Sequence, residues 1–299
     1  MRLAAIDIGS NAARLLITQV SVDDNNKPTF TKLSLVRVPL RLGFDVFDTG
    51  NISSHKINLL LQTMKGFLNL SKAFEVKVMK ACATSAMRDA SNTADVISLV
   101  KEKTGIEIEV ISGTEEASLV FENHIAENLD KDYSYLYIDV GGGSTDVTFF
   151  SNNAIIFKES FNIGTIRVLK NQVTNEMWNE MKSVIKSRTK DFKTVTAIGS
   201  GGNINKIFSL SKRKDGKPLT LNLIRNYYKV MNNISLEERT SMYKLAEDRA
   251  DVIVPALKIY LRAMRWAGAE KIYVPKIGLA DGLVQHLWEQ EKRKEKGDE

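Results

Sequence analysis

Apolar residues recur along this chain in two series of short alternating runs, each followed by stretches of helical spacing. Residues 2–8, 13–20 and 29–38 read as strands, separated by Gly-Ser-Asn and by a polar turn at 23–28. Ser53 or Ser54 caps a helix whose Ile57, Leu60, Leu61, Met64, Phe67 and Leu68 fall on one face. A buried strand is predicted at 76–83, a helix through Val96, Leu99 and Val100, and a short strand at 106–111. Ser112 with Glu115 has the S-x-x-E pattern of a capping box, which predicts a helix over 114–128.

The series then restarts. Strands are predicted at 133–139, 145–151 and 154–161, with the Asn152-Asn153 hairpin signal before the last of them. A helix at 175–190, a strand at 194–198 and a glycine-rich turn into another helix follow. The remainder is mainly helical (221–231, 236–244 and 254–266), apart from a strand at 271–274 and a last amphipathic helix from Leu279. Three strands followed by alternating helices and strands, twice over, predict an α/β protein with two related halves. The expected domains are residues 1–128 and 129–299, with the last helix free to pack back on the first.

Bulk properties narrow the class. A chain of 299 residues exceeds the usual single core. The single cysteine, Cys82, excludes an internal disulfide and fits a reducing, cytoplasmic setting. The amino terminus runs straight into a strand containing Asp7, unlike a targeting peptide, and no apolar run is long enough to span a bilayer. The net charge of +6 is modest and much of it lies in solvated runs such as residues 212–214. No basic platform interleaved with aromatics is visible, so neither nucleic acid nor a membrane is an expected partner.

The informative chemistry lies in two related stretches, AIDIGSNAARLLI at 5–17 and YIDVGGGSTDVTFF at 137–150, with Asp7 and Asp139 132 positions apart. Each is a strand ending in Asp, a tight glycine turn, a small hydroxyl residue and a second strand. Turn amides make a concave anion site, and two such loops facing one another would hold both sides of a phosphate chain. In the first loop, Asp7 is a candidate to hold a hydrated Mg²⁺, and Ser10 and Asn11 to donate to phosphate oxygens. A plain tight hairpin explains that loop about as well. The second loop is more specific. Gly141, Gly142 and Gly143 in a row, then Ser144, weaken the strands and make sense where backbone approaches an anion closely.

Further candidates are weaker. Gly201 and Gly202 end a strand and open a helix, which suits a phosphate or nucleotide, or is simply a connection. Arg88 can clamp a phosphate, with Thr84 and Ser85 adding hydroxyls, or the group is an N-cap with a surface Arg. With Glu115 taken by the capping box, Glu116 is the better general base, although acidic residues suit any first turn. His55, His124 and His286 lack ligand spacing and read as structural or exposed.

Taken in order, AIDIGSN, ATSAMRDA, VISGTEEASLVF, IDVGGGSTDV, NIGTIRVL, IGSGGN and RADVIVPALKIYLRAM…GLADGLV resemble the exopolyphosphatase / guanosine pentaphosphate phosphatase family, in its short two-domain form, from Leu3 to about Leu287. The resemblance implies two ribonuclease H-like domains of the actin-like, sugar-kinase superfamily with a cleft between them. It implies hydrolysis of a terminal phosphoanhydride of polyphosphate or a guanosine pentaphosphate, with Mg²⁺ (or Mn²⁺ in its place). It also implies Glu116 as the group that activates water, Arg88 as a phosphate contact, and Asp7 and Asp139 as metal ligands. Ala12, Asp146 and Asn203 depart from the family pattern. A non-catalytic polyphosphate or alarmone binder and, less favoured, an ATP-dependent kinase stand as alternatives. A homodimer is left open.

Overall fold

The structure is a computed structural model and describes residues 1–121, 133–152 and 154–296. The domain boundary expected at 128/129, the end of the 114–128 helix, His124 and Asn153 lie outside the described residues. Contacts divide the chain into two units, Met1–Asn123 with Leu279–Glu299, and His124–Gly278.

In the first unit the sequence builds β1 (Arg2–Ile8), β2 (Ala13–Val22), β3 (Pro28–Val38), α1 (Leu42–Thr49), α2 (Ser54–Ala73), β4 (Val78–Ala83), α3 (Ser85–Asp89), α4 (Thr93–Thr104), β5 (Ile108–Val110) and α5 (Gly113–Phe121). The sheet order is β3-β2-β1-β4-β5. β1 is antiparallel to β2 and parallel to β4, which is parallel to β5. Leu60, Met64 and Phe67 of α2 are buried, as the periodicity requires, and Ser53 accepts from Lys56 N at the helix start.

The second unit repeats the plan. It contains β6 (Ser134–Val140), β7 (Thr145–Ser151), β8 (Ala154–Phe161), α6 (Thr165–Leu169), α7 (Asn175–Thr189), β9 (Val195–Ser200), α8 (Gly202–Leu210), β10 (Leu219–Thr220), α9 (Leu221–Asn232), α10 (Leu236–Tyr243), α11 (Glu247–Ala250), α12 (Ile253–Trp266) and β11 (Lys271–Tyr273). Its order, β10-β11-β9-β6-β7-β8, reproduces the first sheet with β10 added at the edge. A meander of three strands with parallel strands beyond the first is the ribonuclease H-like arrangement of the actin-like fold, present twice. Tyr260, Leu257 and Ile253 of α12 are fully or almost fully buried.

The last helix, α13 (Leu279–Lys296), belongs to the first unit. It packs on β1, β2, β4 and α5, and Asp281 pairs with Lys32 of β3 at 2.6 Å. No helix among the described residues is long and apolar enough to cross a membrane.

Candidate active site

The β1–β2 hairpin closes through Gly9 N donating to Ala12 O at 3.1 Å, and the β6–β7 hairpin through Gly141 N donating to Ser144 O at 2.9 Å. The two loops therefore superpose in register. Asp7 faces Arg14 across the first hairpin, and Asp139 faces Asp146 across the second. Ser10 corresponds to Gly142, and Ser144 to Ala12, so the two small hydroxyls expected to match occupy different positions. Ala12 closes its loop with backbone alone, and the hydroxyl missing there costs the turn nothing.

Each loop is tied back through its carbonyls. In the first unit, Gly43 N donates to Ser10 O (2.8 Å) and Arg41 N to Asn11 O (2.9 Å). Arg41 holds a left-handed conformation, φ 55°, to do so. In the second unit, Thr165 N donates to Gly141 O (3.0 Å), Ile166 N to Gly142 O (2.8 Å), and Arg167 Nε to Gly143 O (2.9 Å). Among the described residues the N–H groups of Gly142, Gly143 and Ser144 donate to no protein acceptor. A loop with its acceptors occupied and consecutive donors left over can receive an anion.

The reason for the glycines differs from the sequence expectation. The run 141–143 needs no left-handed φ. Instead the segment after β8 presses against it, and a Cβ on Gly164 would stand 2.3 Å from Gly142 O. Gly164, Thr165 and Arg167 hold the loop, and sequence reasoning assigned them no role. The NIGTIRVL motif was the available signal.

The other predicted residues gather at the carboxyl ends of the parallel strands of each unit, where ligands of open α/β sheets bind. In the first unit Thr84 N donates to Ile8 O (3.1 Å) and Ile111 N to Ala83 O (3.0 Å), which draws the ends of β1, β4 and β5 together. Arg88, from the turn of helix after β4, donates through Nη1 to Ile111 O at 2.8 Å and lies 3.4 Å from Glu116 Oε2. Its Nε and Nη2 donate to no described residue, so two prongs of the guanidinium remain for a phosphate. In the second unit Gly201 adopts φ 117°, and a Cβ there would lie 3.3 Å from Asp139 Oδ1. Tyr260 donates to Ser200 O. Burial, and then the Asp139 charge, push the Tyr137 and Tyr260 phenols well above their ordinary pKa.

Two expectations need correction. The capping box at α5 is half formed. Ser112 Oγ accepts from Glu115 N at 3.1 Å, but the Glu115 side chain makes no return bond and is exposed. What separates Glu116 from its neighbour is its place beside Arg88. Asp7 is 2.7 Å from Arg14 Nη1 and nearly buried, so it faces a cation where Asp139 faces a carboxylate, and the two matching aspartates do not share one environment. A metal fits the second unit better. Asp139 and Asp146 face one another across the hairpin and could supply the one or two carboxylates that Mg²⁺ takes beside phosphate oxygens and water. No group of three or more His, Cys, Asp or Glu suited to a metal occurs among the described residues. Counting the hairpin register across Gly-Gly-Gly-Ser would have identified Asp146.

Ser10 is 2% exposed and its Oγ has no hydrogen-bond partner. Buried polar atoms are rarely left so, and a ligand oxygen would satisfy it. Ser10→Ala is therefore expected to leave thermal stability unchanged or raised, by up to about 1 kcal/mol, since no protein bond is lost. The same variant should weaken substrate binding about tenfold, the worth of a hydrogen bond to a charged group. Melting curves and KM together check this. Cys82 is no nucleophile: it is fully buried, and burial pushes its thiol up to about 12.

The family model described as the Ppx/GppA phosphatase family matches residues 20–291. The chain is 29% identical to the bifunctional 3-dehydroquinate synthase/phosphatase of Fusobacterium nucleatum, over 91% of this chain but 44% of that protein, less than half its length. It is 25% identical to exopolyphosphatase 1 of Mycobacterium tuberculosis, over 95% of this chain and 87% of that one. The crystal structure of the Aquifex aeolicus Ppx/GppA family member superposes with a TM-score of 0.75 at 27% identity, covering 97% of this chain and 98% of the other. An exopolyphosphatase from Cytophaga hutchinsonii superposes with a TM-score of 0.82 at 23% identity over 97% and 98% of the two chains, a likeness of fold.

Proposed function

The chain belongs to the Ppx/GppA phosphatase family, and from that premise we propose that it is a phosphoanhydride hydrolase. It releases the terminal phosphate of inorganic polyphosphate, of guanosine pentaphosphate, or of both. The observation that carries this reading is the loop at 141–144, whose carbonyls are all engaged while three successive amides are not. Such a loop grips the non-bridging oxygens of a phosphate without a side chain.

Phosphoryl transfer asks a protein chiefly for positioning and charge stabilisation. In the second unit the Gly142, Gly143 and Ser144 amides are placed to bind phosphate oxygens, and in the first unit the Ser10 hydroxyl and the two open prongs of Arg88 are. Thr84 and Asn11 shape the strand ends of the first unit, and Gly201 and Gly202 those of the second. Glu116, held beside Arg88, takes a proton from water as the water oxygen bonds to the terminal phosphorus and the bridging P–O bond breaks, the shortened chain leaving with its bridging oxygen as a phosphate anion. Asp139 and Asp146 would hold Mg²⁺, which would offset charge on the phosphate oxygens.

The test is a phosphate-release assay over long polyphosphate, tripolyphosphate, guanosine pentaphosphate and ATP, with and without Mg²⁺. Release from polyphosphate or guanosine pentaphosphate without an acceptor alcohol is expected. Tight binding with no release would favour a sensor, and release that needs an acceptor would favour a kinase.

A further inference from the structure

The exposed face of α7 carries Lys182 and Lys186, and the C-cap residue Lys190 continues the four-residue interval. Helical geometry sets successive members about 6 Å apart along one stripe. Asn179, Ser183 and Ser187 lie alongside them in one shallow groove. The groove runs into a second depression of about 490 Å³, where Arg262 and Arg265 of α12 meet Lys182 beside Trp178 and Trp266. None of Lys182, Lys186, Lys190 or Arg265 has an ion-pair partner among the described residues. Glu176 and Glu180 fall outside the stripe, and Glu176 is engaged with the Thr174 cap.

Like charges at i, i+4 destabilise a helix by about 0.2–0.5 kcal/mol a pair, a cost that the place of Lys186 in the last turn of α7 partly offsets. Burial lowers the pKa of Arg262, and burial and then the Arg262 charge lower that of Lys258 one turn away. No carboxylate contributes to either shift.

We infer that this face of the second unit is a binding track for an extended inorganic polyanion, a polyphosphate chain lying along the lysine ladder. The inference rests on the polyphosphate reading above and adds a second attachment point to it. Lysines act as point charges that tolerate sliding phosphates, and the Ser and Asn side chains add neutral donors. A nucleic acid is disfavoured because no open aromatic face is offered for base stacking. Trp178 is 7% exposed, Arg262 covers its ring at 4.1 Å, and Trp266 meets it edge-on at 6.1 Å. Tethering a long chain here raises its effective concentration at the site that hydrolyses it, so KM should fall as the chain lengthens.

The experiment compares wild type with K182A/K186A/K190A and with the charge-preserving K182R/K186R/K190R. Binding of a long polyphosphate is read from tryptophan fluorescence, Trp178 and Trp266 being two of three tryptophans, in a Glu116→Gln background that prevents turnover. Phosphate release is read separately. The alanine variant is expected to lose at least tenfold in affinity for the long chain and to show a flatter salt dependence. Its tripolyphosphate hydrolysis should be unchanged, and the arginine variant should bind like wild type. Equal long-chain affinity in wild type and the alanine variant would overturn the track. Single-stranded DNA of matched charge binding as tightly, with the same sensitivity to the lysines, would overturn its assignment to inorganic chains. If wild type releases no phosphate from any chain yet the lysines still govern binding, the hydrolase reading fails and the track stands.

Discussion

Glu116→Gln is expected to cut turnover sharply while substrate still binds. The substitution keeps the size and the hydrogen-bonding reach of the side chain and removes only its capacity to accept a proton. A positioned general base is worth about 10²–10⁴ in rate, so kcat should fall by that factor with KM nearly unchanged. Arg88 loses its charged partner at 3.4 Å but keeps its bond to Ile111 O at 2.8 Å, so the guanidinium stays in place. Steady-state kinetics on tripolyphosphate check this, and a loss confined to KM would place Glu116 in binding instead. Glu115→Gln, one position away and exposed, is the matched control and should leave kcat within twofold or so of wild type.

The second large effect is expected at Gly164, far in sequence from the loop it supports. A methyl there would stand 2.3 Å from Gly142 O and 2.4 Å from both Gly142 C and Gly143 C. These are backbone atoms and cannot turn aside, so either α6 or the glycine loop must shift. Overpacking of this kind costs about 1–3 kcal/mol of stability. Displacing the phosphate-binding amides by about an ångström costs on the order of 10² in rate. Gly164→Ala should thus lower both the melting temperature and kcat/KM, the latter by about a hundredfold. Gly66→Ala separates the two effects. It lies in α2 with nothing within 4 Å of the added methyl, and helix propensity predicts a gain of up to about 1 kcal/mol with unaltered kinetics. Normal kinetics in Gly164→Ala would mean that the loop does not hold substrate.

Much of this architecture is written in local pattern. The alternating runs of β1, β2 and β3 and their restart at β6, β7 and β8 each carry their own period and turn signals, so the duplicated α/β plan is legible before any contact is known. The short helices α1, α3 and α6 are not. Segments of five to eight residues span too few turns for periodicity to declare itself, and two of the three, α1 and α6, tie the loops back. Their partners lie 24 to 33 residues away, and the NIGTIRVL motif marks the segment without showing that Gly164 meets the Gly142–Gly143 peptide. The α5 start shows the opposite failure, since S-x-x-E predicts a reciprocal pair and only the serine half forms. Local propensity there was right about the helix and silent on where the carboxylates go.

Charge placement was half legible. Asp7 and Asp139 occupy the same place in repeated motifs, which suggests the same job. The register sets Asp7 opposite a cation and Asp139 opposite another carboxylate, and the two copies have therefore diverged in electrostatics while keeping one backbone. The lysine spacing on α7 is plain in the sequence, whereas its junction with Arg262, Arg265 and Trp266 depends on α12 packing against α7.

The decisive measurement is hydrolysis of tripolyphosphate with Mg²⁺ in ¹⁸O-labelled water, followed by mass analysis of the orthophosphate released. Wild-type protein is expected to yield phosphate carrying one solvent oxygen per turnover, and Glu116→Gln to yield none in the same interval. Absence of labelled phosphate from the wild type, or undiminished labelling by the variant, would contradict water activation by Glu116.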